Sequence, residues 1–291
     1  MTFEPYSAHY AHHAGWERVT IDQNVRIARD TYRLRFHAPR MARRFLPGQF
    51  LMLRLADFND PLLGRPLALY DTVLSDGDAG EPAGIDVVYL VLGKLTSRLA
   101  QCQPHQSLEV WGPLGNGFGP QETEHLVMVA GGIGQTPFLA LAREQLGQRH
   151  YGDPPRSLAR VSRATLCYGA RSSGYLAGLD DFARLDVEVR TSTDDGTCGH
   201  HGLVTDLLEV VLDESAACRV VCCGPEKMME AVAKITARRS VPCQVSLETP
   251  MACGVGICFS CVARVRTAAG DWDYRRTCVE GPVFDAPSIE W

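Results

Sequence analysis

Leu126-Val-Met-Val-Ala130 runs straight into Gly131-Gly132-Ile133-Gly134-Gln135-Thr136-Pro137, and an apolar stretch from Phe138 to about Leu146 follows. A short, continuously apolar run is the pattern of a strand covered on both faces. A glycine turn between such a strand and a helix is the setting that a dinucleotide-binding turn requires. Gly132 and Gly134 let the backbone come close to a pyrophosphate. Pro137 suits the first helical turn, where no donor is missed, and the helix N-terminus favours the phosphate charge. Pro137 stands where the last glycine of G-x-G-x-x-G belongs, so read alone the turn leaves a structural glycine turn open.

Downstream the rhythm repeats. Ala164–Tyr168, Asp186–Arg190 and Arg219–Cys223 read as strands, and Thr205–Val211 and Glu226–Ala237 as helices. Alternating strand and helix implies a parallel sheet covered on both faces. Cys222-Cys223-Gly224-Pro225 closes the last of these strands, where such sheets bind ligands. Cys223 is thereby a candidate to line a nucleotide pocket, with a buried strand cysteine as the equal alternative.

Upstream, from about Glu17 to Trp111, short strands are broken by turn signals. Thr31–Phe36, Gln49–Arg54, Leu67–Tyr70, Ile85–Leu92 and Ser107–Trp111 are the strands, Ser75–Gly84 a hairpin loop and Thr96–Gln101 a short helix. This spacing predicts an antiparallel β-barrel or sandwich. Gly64-Arg65-Pro66 opens one strand, and an arginine there can hold a phosphate by a two-pronged contact. The glycine-rich stretch from Gly112 to Pro120 marks the end of the region.

The chain has 291 residues, a net charge of −5, 45% hydrophobic and 22% charged residues, which suits two or three folded domains and excludes a broad nucleic-acid footprint. No apolar run approaches the roughly 18 residues needed to span a bilayer, and the first residues carry no basic-then-apolar leader, so the expected location is cytoplasmic. Residues 1–15, with His9, His12 and His13, read as a loose tail. Eleven cysteines are many for a reducing compartment, where clustered cysteines bind metal or do redox work. Four of them, Cys253, Cys258, Cys261 and Cys278, have the spacing C-x4-C-x2-C-x16-C. That matches the plant-type [2Fe–2S] pattern, with a four-cysteine zinc site as the rival; zinc ribbons usually offer two C-x2-C knuckles, and only one is here.

In order, these motifs resemble the ferredoxin–NADP reductase superfamily. Ser246–Cys261 and Thr277–Ala286 narrow the resemblance to the electron-transfer subunits of NAD-dependent dihydroorotate dehydrogenases. The resemblance implies an antiparallel β-barrel FAD domain over 16–120, an α/β parallel-sheet NAD domain over 121–242 and a small C-terminal [2Fe–2S] module over 243–291. It places the FAD grip on Arg65, Pro66, Leu67 and Ala68, on Val88, Tyr89 and Leu90, and on Leu95 and Thr96. Ala68, Leu90 and Leu95 depart from the family's serine, arginine and glycine. It places NAD on Gly131, Gly132, Gly134, Pro137, Cys223, Gly224 and Pro225, and the cluster on Cys253, Cys258, Cys261 and Cys278. The implied function is an oxidoreductase subunit of pyrimidine biosynthesis. Electrons from an FMN-containing dihydroorotate dehydrogenase catalytic subunit would pass through the cluster and FAD to NAD+, in a heterotetramer of two plus two subunits.

No acid–base residue of the chain itself is called for, because the cofactors carry the chemistry. Ile257 and Phe259 are expected to include a partner-facing residue. The alternatives are the flavin subunit of an NADH-dependent ferredoxin:NADP+ oxidoreductase or sulfide dehydrogenase, and a zinc-containing nucleotide-binding regulator. No acidic residue stands ready for the ribose 2′-hydroxyl, and Arg171 could instead meet a 2′-phosphate, so NAD over NADP rests on the resemblance.

Overall fold

The computed structural model describes residues 14–291 except 78, 121, 157 and 216, so the tail with its three histidines lies outside the described residues save for its last two positions. Six strands close the first barrel: β1 (Gly15–Ala28), β2 (Thr31–His37), β3 (Phe50–Leu55), β4 (Arg65–Asp76), β5 (Ala79–Leu90) and β6 (Ser107–Leu114). Their order is β1-β2-β5-β4-β3-β6, antiparallel throughout. Ile21, Leu34, Phe36, Leu53, Ile85, Val87 and Leu108 fill the interior. Two short helices, α1 (Pro39–Arg44) and α2 (Lys94–Leu99), connect the strands.

β1 has no clear sequence signature because only Val19 and Ile21 of its fourteen residues are buried. It still closes the barrel, pairing with β2 on one side and β6 on the other. The loop expected over Ser75–Gly84 is instead paired strand. β4 and β5 remain paired out to Asp76↔Ala79. Glycine and aspartate suggested a loop there, but the outer end of this ribbon is exposed and two register shifts, at Val73/Leu74 and Leu74/Asp76, accommodate the odd residues.

The second layer is a seven-stranded sheet. β7 (His125–Gly131), β8 (Arg163–Ala170), β9 (Glu188–Thr193), β10 (His200–His201), β11 (Cys218–Cys223) and β12 (Cys243–Ser246) are parallel, and β15 (Val283–Asp285) joins β12 antiparallel at one edge. All seven residues of β7 are buried, as its unbroken apolar run demands. Leu126, Met128 and Ala130 pack with α3 (Phe138–Gln145). Val127 and Val129 pack on the other face with α5 (Val204–Glu214) and α6 (Glu226–Arg238), while a short helix α4 (Leu179–Ala183) precedes β9.

The cysteine-rich segment leaves the sheet edge after β12 and returns as β15. Between them lies a two-stranded hairpin, β13 (Val262–Arg266) with β14 (Trp272–Arg276). Its inner residues Met251, Cys261, Cys278 and Val279 pack on Phe50, Met52 and Leu114 of the barrel. No described helix is long and apolar enough to cross a membrane.

Candidate redox site

A cavity of about 720 Å³ opens where the barrel, the sheet and the cysteine segment meet. Its barrel wall carries Arg65, Pro66, Leu67 and Ala68 at the start of β4, Val88, Tyr89 and Leu90 at the end of β5, and Leu95 and Thr96 on α2. Its sheet wall carries Ile133, Thr136, Pro137 and Cys223, and residues 246–252 with Ser260 supply the third wall. The dispersed flavin and nucleotide residues named from sequence thus converge, except that Gly131, Gly132, Gly134, Gly224 and Pro225 are not among the lining residues.

The individual side chains take distinct parts. The Arg65 guanidinium donates to the carbonyls of Leu63 (3.2 Å) and Gly64 (2.9 Å) and makes no ion pair among the described residues. It is a positive group held by its own loop beside an open volume. Thr96 Oγ1 receives the backbone N–H groups of Leu92 (3.0 Å) and Gly93 (3.1 Å), so this hydroxyl shapes the turn entering α2. Leu95 is buried among the barrel core residues, which is why a leucine is tolerated in place of a glycine. Tyr89 lines the cavity and also braces the barrel: its hydroxyl donates to Asn24 Oδ1 on β1 (3.0 Å) and its ring stacks on Tyr32. Burial drives its acidity far down, which keeps it neutral.

The glycine turn also divides its labour. Gly132 has φ +56° and nothing within 4 Å of where a side chain would start, so its backbone faces open space. Gly134 does not. A Cβ there would lie 2.2 Å from the carbonyl oxygen of Cys223, so this glycine is small in order to pack the turn against the end of β11. Of the two glycines, Gly132 borders open space and Gly134 packs against protein. Cys223 is thereby fixed at the cavity, and burial, helped by the charge of Glu248, holds its thiol well above the ordinary range and therefore neutral.

Sequence reading passed over two acidic features. Glu248, two residues beyond β12, is the only carboxyl group among the lining residues. Its signal was its place just past the carboxyl end of a sheet strand. Asp194 and Asp195, past β9, come beside Arg171, with Asp195 N–H donating to the Arg171 carbonyl (3.3 Å). Strand pairing joins them, and linear order hides this.

The four cysteines stand as two neighbouring pairs, Cys253 with Cys258 and Cys261 with Cys278. Among the described residues no three metal-binding side chains meet at one point. Two neighbouring thiol pairs suit a two-iron centre, with two sulfur ligands for each iron. Hydrogen bonds, chiefly from Ser260, bring the exposed Cys258 thiol down to about 6. A hydrogen bond with Cys278 brings Cys261 down to about 6 and raises Cys278 in turn. The lowered Cys258 and Cys261 thiols favour the thiolate form in which a metal is bound. The loop is braced from several sides: Trp111 Nε1 donates to the Cys253 carbonyl (2.9 Å), Arg276 to that of Gly256 (2.9 Å), and Thr277 N–H to that of Cys261 (2.9 Å).

Three family models match consecutive stretches: an oxidoreductase FAD-binding domain over residues 18–118, an oxidoreductase NAD-binding domain over 128–234, and the iron–sulfur cluster binding domain of dihydroorotate dehydrogenase B over 248–290. The electron transfer subunit of dihydroorotate dehydrogenase B (NAD(+)) from Desulforamulus reducens is 34% identical over 268 residues, covering 91% of this chain and 94% of that one. Its counterpart from Geobacillus kaustophilus is 34% identical over 279 residues, 94% of this chain and 98% of that one. Among solved structures, an NADH-dependent reduced ferredoxin-NADP oxidoreductase studied for flavin-based electron bifurcation is similar with a TM-score of 0.75 and 27% identity, over 94% of this chain and 90% of that one. Site geometry, three matched domains and end-to-end similarity agree: the chain belongs to the family of electron transfer subunits of dihydroorotate dehydrogenase B.

Proposed function

We propose that this chain carries electrons between an FMN-containing dihydroorotate dehydrogenase catalytic subunit and NAD+, by way of a [2Fe–2S] cluster and FAD, in cytoplasmic pyrimidine biosynthesis. The assembly in this reading is two catalytic and two electron-transfer subunits. Flavin, when bound, exchanges hydride with nicotinamide and single electrons with the cluster, which is why both are needed. Cys253 and Cys258 hold one iron, and Cys261 and Cys278 the other. Arg65 neutralises the FAD phosphates, and Leu67, Ala68, Leu90 and Thr96 shape the flavin's bed. Gly132 gives the NAD pyrophosphate room, while Gly134, Gly224 and Pro225 hold Cys223 in place beside Pro137. A reducing compartment suits thiols that must stay available to metal.

One observation carries the reading. Ala252 and Ser260, the chain neighbours of Cys253 and Cys261, line the same cavity as Arg65, Thr96 and Cys223. The metal-binding loop and the flavin and nucleotide residues therefore share one volume, as a short relay requires.

The test is anaerobic purification with and without the catalytic subunit. Bound FAD, iron with acid-labile sulfide, and dihydroorotate-dependent reduction of NAD+ by the complex are expected. Protein that holds zinc and no flavin, or a complex that leaves NAD+ untouched, would overturn the proposal.

A further inference from the structure

Electrons released singly by an iron–sulfur centre arrive without protons, yet they leave as hydride. The balance is NAD+ + 2e− + H+ → NADH, so each turnover in this direction takes up one proton inside the cavity, and the reverse direction releases it. A titratable group on the lining can hand that proton over.

Four lining residues titrate: Arg65, Tyr89, Cys223 and Glu248. An arginine keeps its charge. Tyr89 is committed to Asn24, and burial keeps both its phenol and the Cys223 thiol neutral far above physiological pH. Glu248 remains. Its side chain is open to the cavity although protein surrounds it, and among the described residues no cation or hydrogen-bond donor meets its carboxyl group. The group facing it from β11 is Cys223, which feels its charge and stays a neutral thiol.

We propose that Glu248 is the proton-exchange residue of this cavity, its carboxyl group holding the proton that two singly delivered electrons need in order to leave as hydride. This inference rests on the relay proposed above, and it replaces the expectation that the chain supplies no acid–base group. Burial raises the Glu248 carboxyl above the usual carboxylate range, which moves its proton toward working pH. The sheet supplies the position: β12 ends at Ser246, and the chain crosses from the sheet edge to the cysteine loop along the cavity wall.

The experiment compares FAD-loaded wild type with Glu248→Gln and Glu248→Asp under anaerobic conditions. Reduced-minus-oxidised infrared difference spectra of the wild type should contain a protonated-carboxyl carbonyl band that shifts in D2O. The band should vanish in E248Q and return in E248D. In stopped flow, E248Q should slow reoxidation of the reduced flavin by a one-electron acceptor by about tenfold more than it slows bleaching by NADH, because only reoxidation must release a proton. A band that persists in E248Q, or equal slowing of both phases, overturns the role of Glu248 and leaves the relay intact. Wild-type protein that retains no flavin overturns the relay itself, and the inference with it.

Discussion

The indole nitrogen of Trp111 donates to the backbone carbonyl of Cys253 across 2.9 Å, which ties barrel strand β6 to the loop bearing three of the four cysteines. Trp111 also closes over Gly64, where an added Cβ would lie 2.6 Å from the indole ring. One side chain therefore sets both the cysteine loop and the residue before Arg65. Trp111→Phe keeps most of the ring and removes the donor. A hydrogen bond of this kind contributes about 1 kcal/mol net, so the melting temperature should fall by about 2–4 °C. Iron retained after anaerobic gel filtration should fall as well. Unchanged retention would show that the loop is fixed by its packing alone.

Cys258 is the exposed member of its thiol pair, and Ser260 Oγ lies 3.1 Å from its sulfur. Cys258→Ser removes one of four thiolates without touching the barrel. Transfer to the catalytic subunit should drop by at least about 100-fold, whereas flavin bleaching by NADH should change by less than about threefold, since the two-electron and one-electron carriers are separate stations. Parallel loss of both rates, followed by stopped-flow absorbance, would contradict that separation.

Among the described residues the Arg65 guanidinium hydrogen-bonds only to backbone carbonyls of its own loop, which leaves its charge available to a bound phosphate. Hydrogen bonds to charged groups contribute about 1.5–3 kcal/mol, so Arg65→Ala should weaken FAD binding by about 10- to 150-fold. Fluorescence titration of the flavin-stripped protein reads this directly. Arg65→Lys should recover only part of the affinity, because a point charge lacks the planar fork. Equal affinity in R65A would remove Arg65 from the flavin site.

The sequence revealed a good part of this arrangement, for identifiable reasons. β7 was readable because it is buried on both faces, and the cysteines because their spacing is a covalent constraint. β1 was not, since a barrel strand with two buried residues has no alternation to detect. The partner of the Tyr89 hydroxyl was not readable, because sequence cannot say that a β5 phenol meets Asn24 on β1. The packing task of Gly134 was not readable either, because a glycine kept for close packing reads the same as one kept for a phosphate, and the Cys223 carbonyl beside it is seen only in the fold. Glu248 was quoted as part of the family stretch and given no task, since its significance lies in being alone among the carboxyl groups of a surface built from three separate regions.

His125 begins β7 fully inside the sheet, with Nδ1 2.9 Å from Ser215 Oγ and Nε2 2.8 Å from Thr165 Oγ1. Burial lowers its pKa from 6.5 to about 4. The unfolded chain thus binds more protons than the folded one between these values, so stability is full above the upper value and is lost as pH falls toward the lower one. From pH 7 to pH 5 the loss is about 2 kcal/mol, or a melting temperature lower by about 4–8 °C. His125→Gln, which still offers a donor and an acceptor, should flatten this part of the profile. Differential scanning fluorimetry at both pH values checks it, and an equally steep profile in H125Q would assign the acid sensitivity elsewhere.

Ile257 and Phe259 flank Cys258 and are 78% and 62% exposed, an apolar pair on either side of an exposed thiol proposed above to bind the cluster. Phe259 is held outward by a left-handed backbone (φ +56°) and by the Arg276 guanidinium 5.2 Å from its ring centre, so its exposure is built into the loop. Single exposed apolar residues need no explanation, but an aromatic beside an arginine is the usual composition of an interface anchor. Electron transfer to a second protein also needs its carrier near the surface that docks. Phe259→Ala should therefore weaken association with the catalytic subunit by about 30-fold, equivalent to about 2 kcal/mol, in calorimetric titration of cluster-loaded protein. Ile257→Asp should weaken it further by placing an unpaired charge in the contact. Iron content measured on each variant separates lost docking from a lost cluster. In the wild-type complex, amide exchange over residues 257–261 should slow on binding. If exchange there is the same with and without the partner, docking lies on another face and electrons leave this loop by a different route.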